Sequence, residues 1–125
     1  MGIERIPSDF ASFSDVVAVE EAGKWIHVAG QVAMDEQGKV SGGLAEQTNV
    51  TLDHIERLLG RVGADLSHVV KITVFLPELE DYAEFSKVRA ERFGDTLPAS
   101  SAVQVAGLLL GAAIEIETVA FLPAG

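Results

Sequence analysis

Polar and apolar residues alternate along several short stretches of this chain, and in two longer stretches apolar residues recur every three or four positions. Alternation marks half-buried strands, and the longer recurrence marks amphipathic helices. Residues 16–20 (VVAVE) form a first short strand and Lys24–Gly30 (KWIHVAG) a second, with Glu21-Ala22-Gly23 as a hairpin turn between them. In the second, Ile26 and Val28 face one way and Trp25, His27 and Ala29 the other. Met34–Gly43 is turn-rich. Leu44–Val62 reads as a helix through Leu52, Ile55, Leu58, Leu59 and Val62, stopped by Gly63. His68–Leu76 is a β-branched strand. Its apolar face is Val70, Ile72, Val74 and Leu76, and its mixed face Val69, Lys71, Thr73 and Phe75. Leu79–Phe93 is a second helix that turns Tyr82, Phe85, Val88 and Phe93 inward and ends at Gly94. Ser100–Ala106 and Ala113–Phe121 are the last strands. The GLLLGA connection between them, rich in leucine, should be partly buried.

The predicted order is ββαβαββ. Two helices cover only one face of such a sheet, giving an α+β sandwich of two layers. Val103 and Val105 should point into the helix-covered core, which sends Ser100, Ala102, Gln104 and Ala106 to the opposite face. That opposite face, with Val69, Phe75, Ala102 and Ala106, is too apolar for open water, so other subunits should cover it.

Composition narrows the function classes. With 125 residues, 48% hydrophobic and 22% charged, residues 1–125 read as one globular domain. The chain has no cysteine, which removes disulfides and thiolate chemistry. A net charge of −10 argues against nucleic acid and against an anionic membrane surface, though not against one local basic pocket. No apolar stretch approaches a membrane span and no leader pattern opens the chain, so a cytoplasmic location is expected.

Candidate chemistry is sparse. Glu115 and Glu117 share one face of the last strand, opposite Ile114 and Ile116. They are either a polar sheet edge or an acid/base pair in a cleft. If the last two strands pair antiparallel, Ser100 or Gln104 approaches these glutamates. His27, His54 and His68 have no metal-ligand spacing. Gly42-Gly43 before the first helix reads as a plain loop. Arg89 and Arg92 lie near Glu84 and Glu91, which reads as surface pairing, the alternative being that either one reaches a cleft.

The stretch AGQVAMDEQGKVSGGLAEQTNVTLDHIERLLGRVGADLSHVVKITVFL, followed by PASSAVQVA and IEIETVAF, resembles the RidA/YjgF family from about Phe13 to Phe121. The resemblance implies a chorismate-mutase-like fold, a homotrimer with clefts between subunits, and deamination of reactive enamines and imines without metal or organic cofactor. The family's Pro-Ala-Arg-Ser, whose arginine grips a substrate carboxylate, reads here Pro98-Ala99-Ser100-Ser101. The Cys or Thr two places beyond that arginine is Ala102, and a helix asparagine is matched by Ser86. Pro-Tyr-Ser becomes Ser12-Phe13-Ser14, Gly30-Gln31 matches a Ser-Gly-Gln turn, and Glu115 matches the glutamate beside the attacking water.

The expectation is therefore a divergent hydrolase or deaminase. Glu115 is its catalytic residue, and Phe13, Ser14, Gln31, Ser86, Ser100, Ser101 and Ala102 form its substrate site. It would act on a small imine or enamine other than a standard 2-imino acid, with activity on 2-iminobutanoate or 2-iminopropanoate weak or absent. The alternative is a non-catalytic trimer that binds a small metabolite. A ribonuclease role, attached to some relatives, fits the acidic chain least.

Overall fold

The computed structural model describes residues 2–125. Among them the order is β1 (Ile3–Pro7), β2 (Ser14–Val19), β3 (Gly23–Gln31), α1 (Leu44–Gly60), β4 (Val69–Leu76), α2 (Tyr82–Phe93), β5 (Ala99–Gln104) and β6 (Glu115–Pro123). The six strands form one sheet, ordered β1-β2-β5-β4-β6-β3, and both helices pack on one face of it. This is the expected two-layer α+β fold with one strand more than predicted. β1 went unseen because Glu4 and Arg5 interrupt its apolar pattern. Arg5 secures it from within the fold: Nη1 donates to the carbonyls of Val69 (3.1 Å) and Leu97 (2.9 Å), and Nη2 to that of Ser67 (3.0 Å). Burial among these groups pushes the Arg5 guanidinium below its ordinary pKa.

The core lies between helices and sheet. Leu52, Ile55 and Leu59 of α1 and Phe85, Val88 and Phe93 of α2 meet Ile72, Val74, Leu76, Ile116 and Ala120. The turn after α1 is left-handed at Gly63 (φ 88°), as its glycine predicts.

Three face assignments differ from the sequence reading. The ladder between β4 and β6 shifts register between Val69 and Lys71, so Val69, not Val70, joins the core cluster. In β5 the faces are exchanged. Ser100 pairs with Ile72 and Ala102 with Val74, which places both on the helix side, and Ala102 packs on the core. Ser101 and Val103 go to the open face, where Val103 is 43% exposed. Finally, β5 and β6 are not neighbours, because β4 lies between them. Ser100 and Gln104 therefore do not face Glu115 or Glu117 across a ladder. The leucine-rich connection is also more open than expected: Leu109 is 76% exposed.

One seam of the sheet is nearly open. β2 meets β5 at a single parallel pair, Ser14 with Ala99. Beyond that pair β2 and β5 share no ladder, and the ends of both lie beside α2.

Candidate functional site

On α2, Tyr82, Phe85, Ser86 and Arg89 fall at spacings of three, four and seven, and so on one side of the helix. That side faces the parting of β2 and β5. Arg89 is not a surface partner of Glu84 or Glu91. It is fully buried (0% exposed) and forms no ion pair among the described residues.

Neutral hydroxyls surround the guanidinium. Nη1 donates to Ser100 Oγ (3.0 Å), Nη2 to Tyr82 Oη (2.9 Å) and Ser86 Oγ (3.1 Å), and Nε to Ser12 Oγ (3.3 Å). Three aromatic rings wall it, with Cζ 4.9 Å from the Phe85 centroid, 5.1 Å from Phe13 and 5.4 Å from Tyr82. Ring faces attract a cation, and this attraction grows when water is excluded. Ser12 closes the cage by donating to the Ser86 carbonyl at 2.9 Å.

The arrangement unites three residues that the sequence nominated, Phe13, Ser86 and Ser100, around Arg89, which the sequence left open between surface pairing and a cleft. The signal for Arg89 was present in its spacing: a charged residue on the stripe that also carries Phe85 is a buried charge. Isolated burial of a cation costs on the order of several kcal/mol, so the position calls for compensation.

The other nominated residues lie elsewhere. Ser14 is buried, and its hydroxyl is committed to the Leu97 carbonyl at 2.6 Å, joining β2 to the residues before β5. Ser101 Oγ accepts from Lys71 Nζ at 3.0 Å on the open face. Glu115 pairs with Phe75 and Glu117 with Thr73, which places both glutamates on the open face. Glu115 is half-buried beside Gly30, where a Cβ would run into its carboxylate. The close approach of strand and carboxylate thus depends on glycine. Gln31, next to Gly30, lines a groove of about 780 Å³ with Met34, His54 and Arg57. There His54 Nε2 meets the Met34 carbonyl and Arg57 contacts His54 Nδ1, both at 2.9 Å. A second hollow, about 410 Å³, lies on the open face between His27, Lys71, Thr73 and Glu117.

Within one chain, then, the Arg89 cage and Glu115 occupy opposite faces of the sheet. Among the described residues no three histidine or carboxylate side chains cluster to hold a metal ion. No helix is long and apolar enough to cross a membrane.

Comparison with known proteins places this geometry in context. A family model described as Endoribonuclease L-PSP matches residues 4–122. A RutC family protein of Pyrococcus abyssi is 38% identical over 120 residues, 94% of this chain and 92% of its own length. The human 2-iminobutanoate/2-iminopropanoate deaminase is 35% identical over 118 residues, 93% of this chain and 84% of its own. Among solved structures, a conserved Rid-family protein of unknown function from Yersinia pestis superposes with a TM-score of 0.83 at 28% identity, covering 98% of this chain and 100% of that one. RidA from an Antarctic Psychrobacter gives 0.77 at 27% identity, covering 98% and 99%.

Proposed function

The chain belongs to the RidA/YjgF family, and on that premise we propose that it hydrolyses a small imine or enamine, releasing ammonia, without metal or organic cofactor. The observation that carries this reading is the Glu115 carboxylate, set on β6 against the Cβ-free Gly30. In the proposed reaction Glu115 orients a water and takes its proton as oxygen attacks the imine carbon. That proton passes from Glu115 to the imine nitrogen, giving the tetrahedral carbinolamine. Glu115 then takes the carbinolamine hydroxyl proton and gives it to the amine as the C–N bond breaks, which leaves the carbonyl product and ammonia. Relatives at 35% identity that bear the name 2-iminobutanoate/2-iminopropanoate deaminase support the reaction class.

The substrate we assign is not the standard 2-imino acid. Ser100 stands on β5 where the family pattern has its arginine, and a hydroxyl is not a bidentate, charged donor. The substrate is neutral or cationic, or it carries a carboxylate elsewhere. Because Glu115 and the Ser100 region lie on opposite faces of one chain, the complete cleft requires a neighbouring copy, and we assign a homotrimer with clefts between subunits. Exposure of Trp25 (53%) and Val103 (43%) on the open face supports burial by another copy. A monomer mass at every concentration in sedimentation would overturn the shared cleft.

Ammonia release from a panel of imines tests the chemistry. Glu115→Gln should lower the rate about 100-fold or more, since general-base assistance is worth roughly 10²–10⁴. Equal rates remove Glu115 from the mechanism. A second reading, a non-catalytic metabolite-binding trimer, is favoured by one observation: no described side chain hydrogen-bonds the Glu115 carboxylate to orient it as a base. Thermal stabilisation by a compound that is never consumed would select that reading.

A further inference from the structure

We propose that Arg89 is the anion-reading residue of this cleft, and that its Nη1–H and the Ser100 hydroxyl together take a carboxylate on the ligand. The proposal rests on the reading that the cleft binds a small molecule. It selects, among the substrates left open above, those that carry a carboxylate away from the reacting carbon.

The first argument is a count of donors. A guanidinium has five N–H groups and no acceptor. Four of those on Arg89 go to the hydroxyls of Ser12, Tyr82, Ser86 and Ser100. The remaining one is on Nη1, the nitrogen beside Ser100, and it has no acceptor among the described residues. Each hydroxyl that accepts from the guanidinium must direct its own proton away from it. The Ser12 proton goes to the Ser86 carbonyl and the Ser86 proton to Ser12 Oγ at 3.2 Å. The protons of Ser100 and Tyr82 find no acceptor among the described residues. The cage therefore presents one N–H and two O–H donors without partners. An acceptor satisfies all three, and an anionic acceptor also compensates the buried charge.

The second argument is position. Arg89 itself is 0% exposed, whereas Ser12, Phe13, Tyr82, Ser86 and Ser100 around it are half-buried, so a carboxylate meets the rim hydroxyls first and reaches Nη1–H when a rim side chain turns aside. Ser12 and Phe13 precede β2 and Ser100 lies on β5, and those two strands meet at one pair only. The cage thus sits at the one place where the sheet parts.

A guanidinium already fixed by four hydroxyls contacts the ligand with one prong, and the hydroxyl of Ser100 supplies the second. Ser100 is therefore a partner of Arg89 in specificity, and the charge that β5 lacks is delivered from α2.

Calorimetric titration of the intact, assembled protein with 4-oxopentanoate, its amide, 2-oxobutanoate and inorganic phosphate tests the assignment. In the wild type a carboxylate should bind at least about tenfold more tightly than the amide, as charge-assisted contacts imply. Arg89→Met should abolish that preference, Ser100→Ala should reduce it about threefold or more, and Arg89→Lys should restore part of what Arg89→Met loses. Equal binding of acid and amide by the wild type overturns the proposal, as does a preference that survives Arg89→Met or binding of phosphate alone. If Arg89→Met does not fold, the acid–amide comparison in the wild type and in Ser100→Ala decides on the same criteria. An Arg89-dependent preference for 2-oxobutanoate over 4-oxopentanoate supports the arginine and instead overturns the substrate proposed above. Carboxylate binding without ammonia release from any imine leaves Arg89 in place and removes the hydrolase.

Discussion

Arg89 and Arg92 stand three residues apart on one helix and have opposite surroundings. Arg92 lies in the seam between α1 and α2. Its Nη2 reaches Asp53 Oδ1 at 2.8 Å and Glu56 Oε1 at 3.5 Å, and its Nη1 donates to the carbonyl and side chain of Asn49, both at 3.0 Å. Its charge is answered by the protein's own carboxylates, and its position ties two helices together. Arg89, turned toward the sheet, meets four neutral hydroxyls and three rings. The pair shows two ways of holding a guanidinium on one helix: Arg92 meets carboxylates of the protein, whereas Arg89 meets hydroxyls that still have protons of their own to give.

The comparison can be broken most forcefully beneath Arg89. Phe85 is fully buried under the guanidinium, and Phe85→Ala should destabilise the protein by about 3–5 kcal/mol in urea unfolding. A loss under about 1 kcal/mol would mean that the cage is loosely packed and Arg89 is not held. Next in size is the direct contrast between the arginines. Arg92→Met removes donors from Asn49 and Asp53 and should cost about 1–3 kcal/mol. Arg89→Met, which replaces an unpaired buried charge with an apolar chain, should leave the unliganded melting temperature unchanged or raise it. If Arg89→Met proves the more damaging of the two, Arg89 is a structural residue and the contrast fails.

The smallest effect concerns a charge met by neutral donors at the surface. The backbone N–H and hydroxyl of Ser67 both donate to Asp65 Oδ1. The Ser67 hydroxyl is the main cause that holds the Asp65 carboxyl below its usual pKa; burial opposes it, and the Ser67 backbone and His68 add to the lowering. A carboxyl depressed in the folded state stabilises it above the unfolded pKa of about 3.9, and this contribution disappears as pH falls through the lower, folded value. Melting curves of wild type and Asp65→Asn should therefore differ by a small constant amount near neutrality and converge only in acid, below about pH 4. A difference that persists unchanged into strong acid would show that Asp65 acts as a cap through shape and not through charge.

Much of the fold was legible in hydrophobic periodicity, because β3, β4, β6 and both helices each bury one regular face. The failures have physical causes. Val103 was placed inward because apolar residues usually are, yet the open face here carries Trp25 and Val103 beside its polar residues, so polarity could not tell the two faces of β5 apart. Val69 and Val70 exchanged roles because a one-residue register shift is silent in sequence. β1 depends on Arg5 reaching carbonyls more than sixty residues away, a contact that no local pattern reports. At the site, the resemblance led to Phe13, Ser86 and Ser100, and these do converge. It could not supply Arg89, whose role depends on facing a serine eleven positions further along. Ser14 shows the reverse: its place in the pattern suggested a ligand contact, and its hydroxyl is held by the Leu97 carbonyl instead.

The sheet order also bears on how this protein is made. β6 follows the other seven elements along the chain, yet it lies inside the sheet, between β4 and β3. Until residues 115–123 emerge, β3 has no strand beside it and β4 has only β5. The sheet therefore cannot close before those residues are made, and until then the nascent chain carries unpaired strand edges. A premature stop that removes those few residues would leave the centre of the sheet open, and the truncated product would be a substrate for chaperones and proteases.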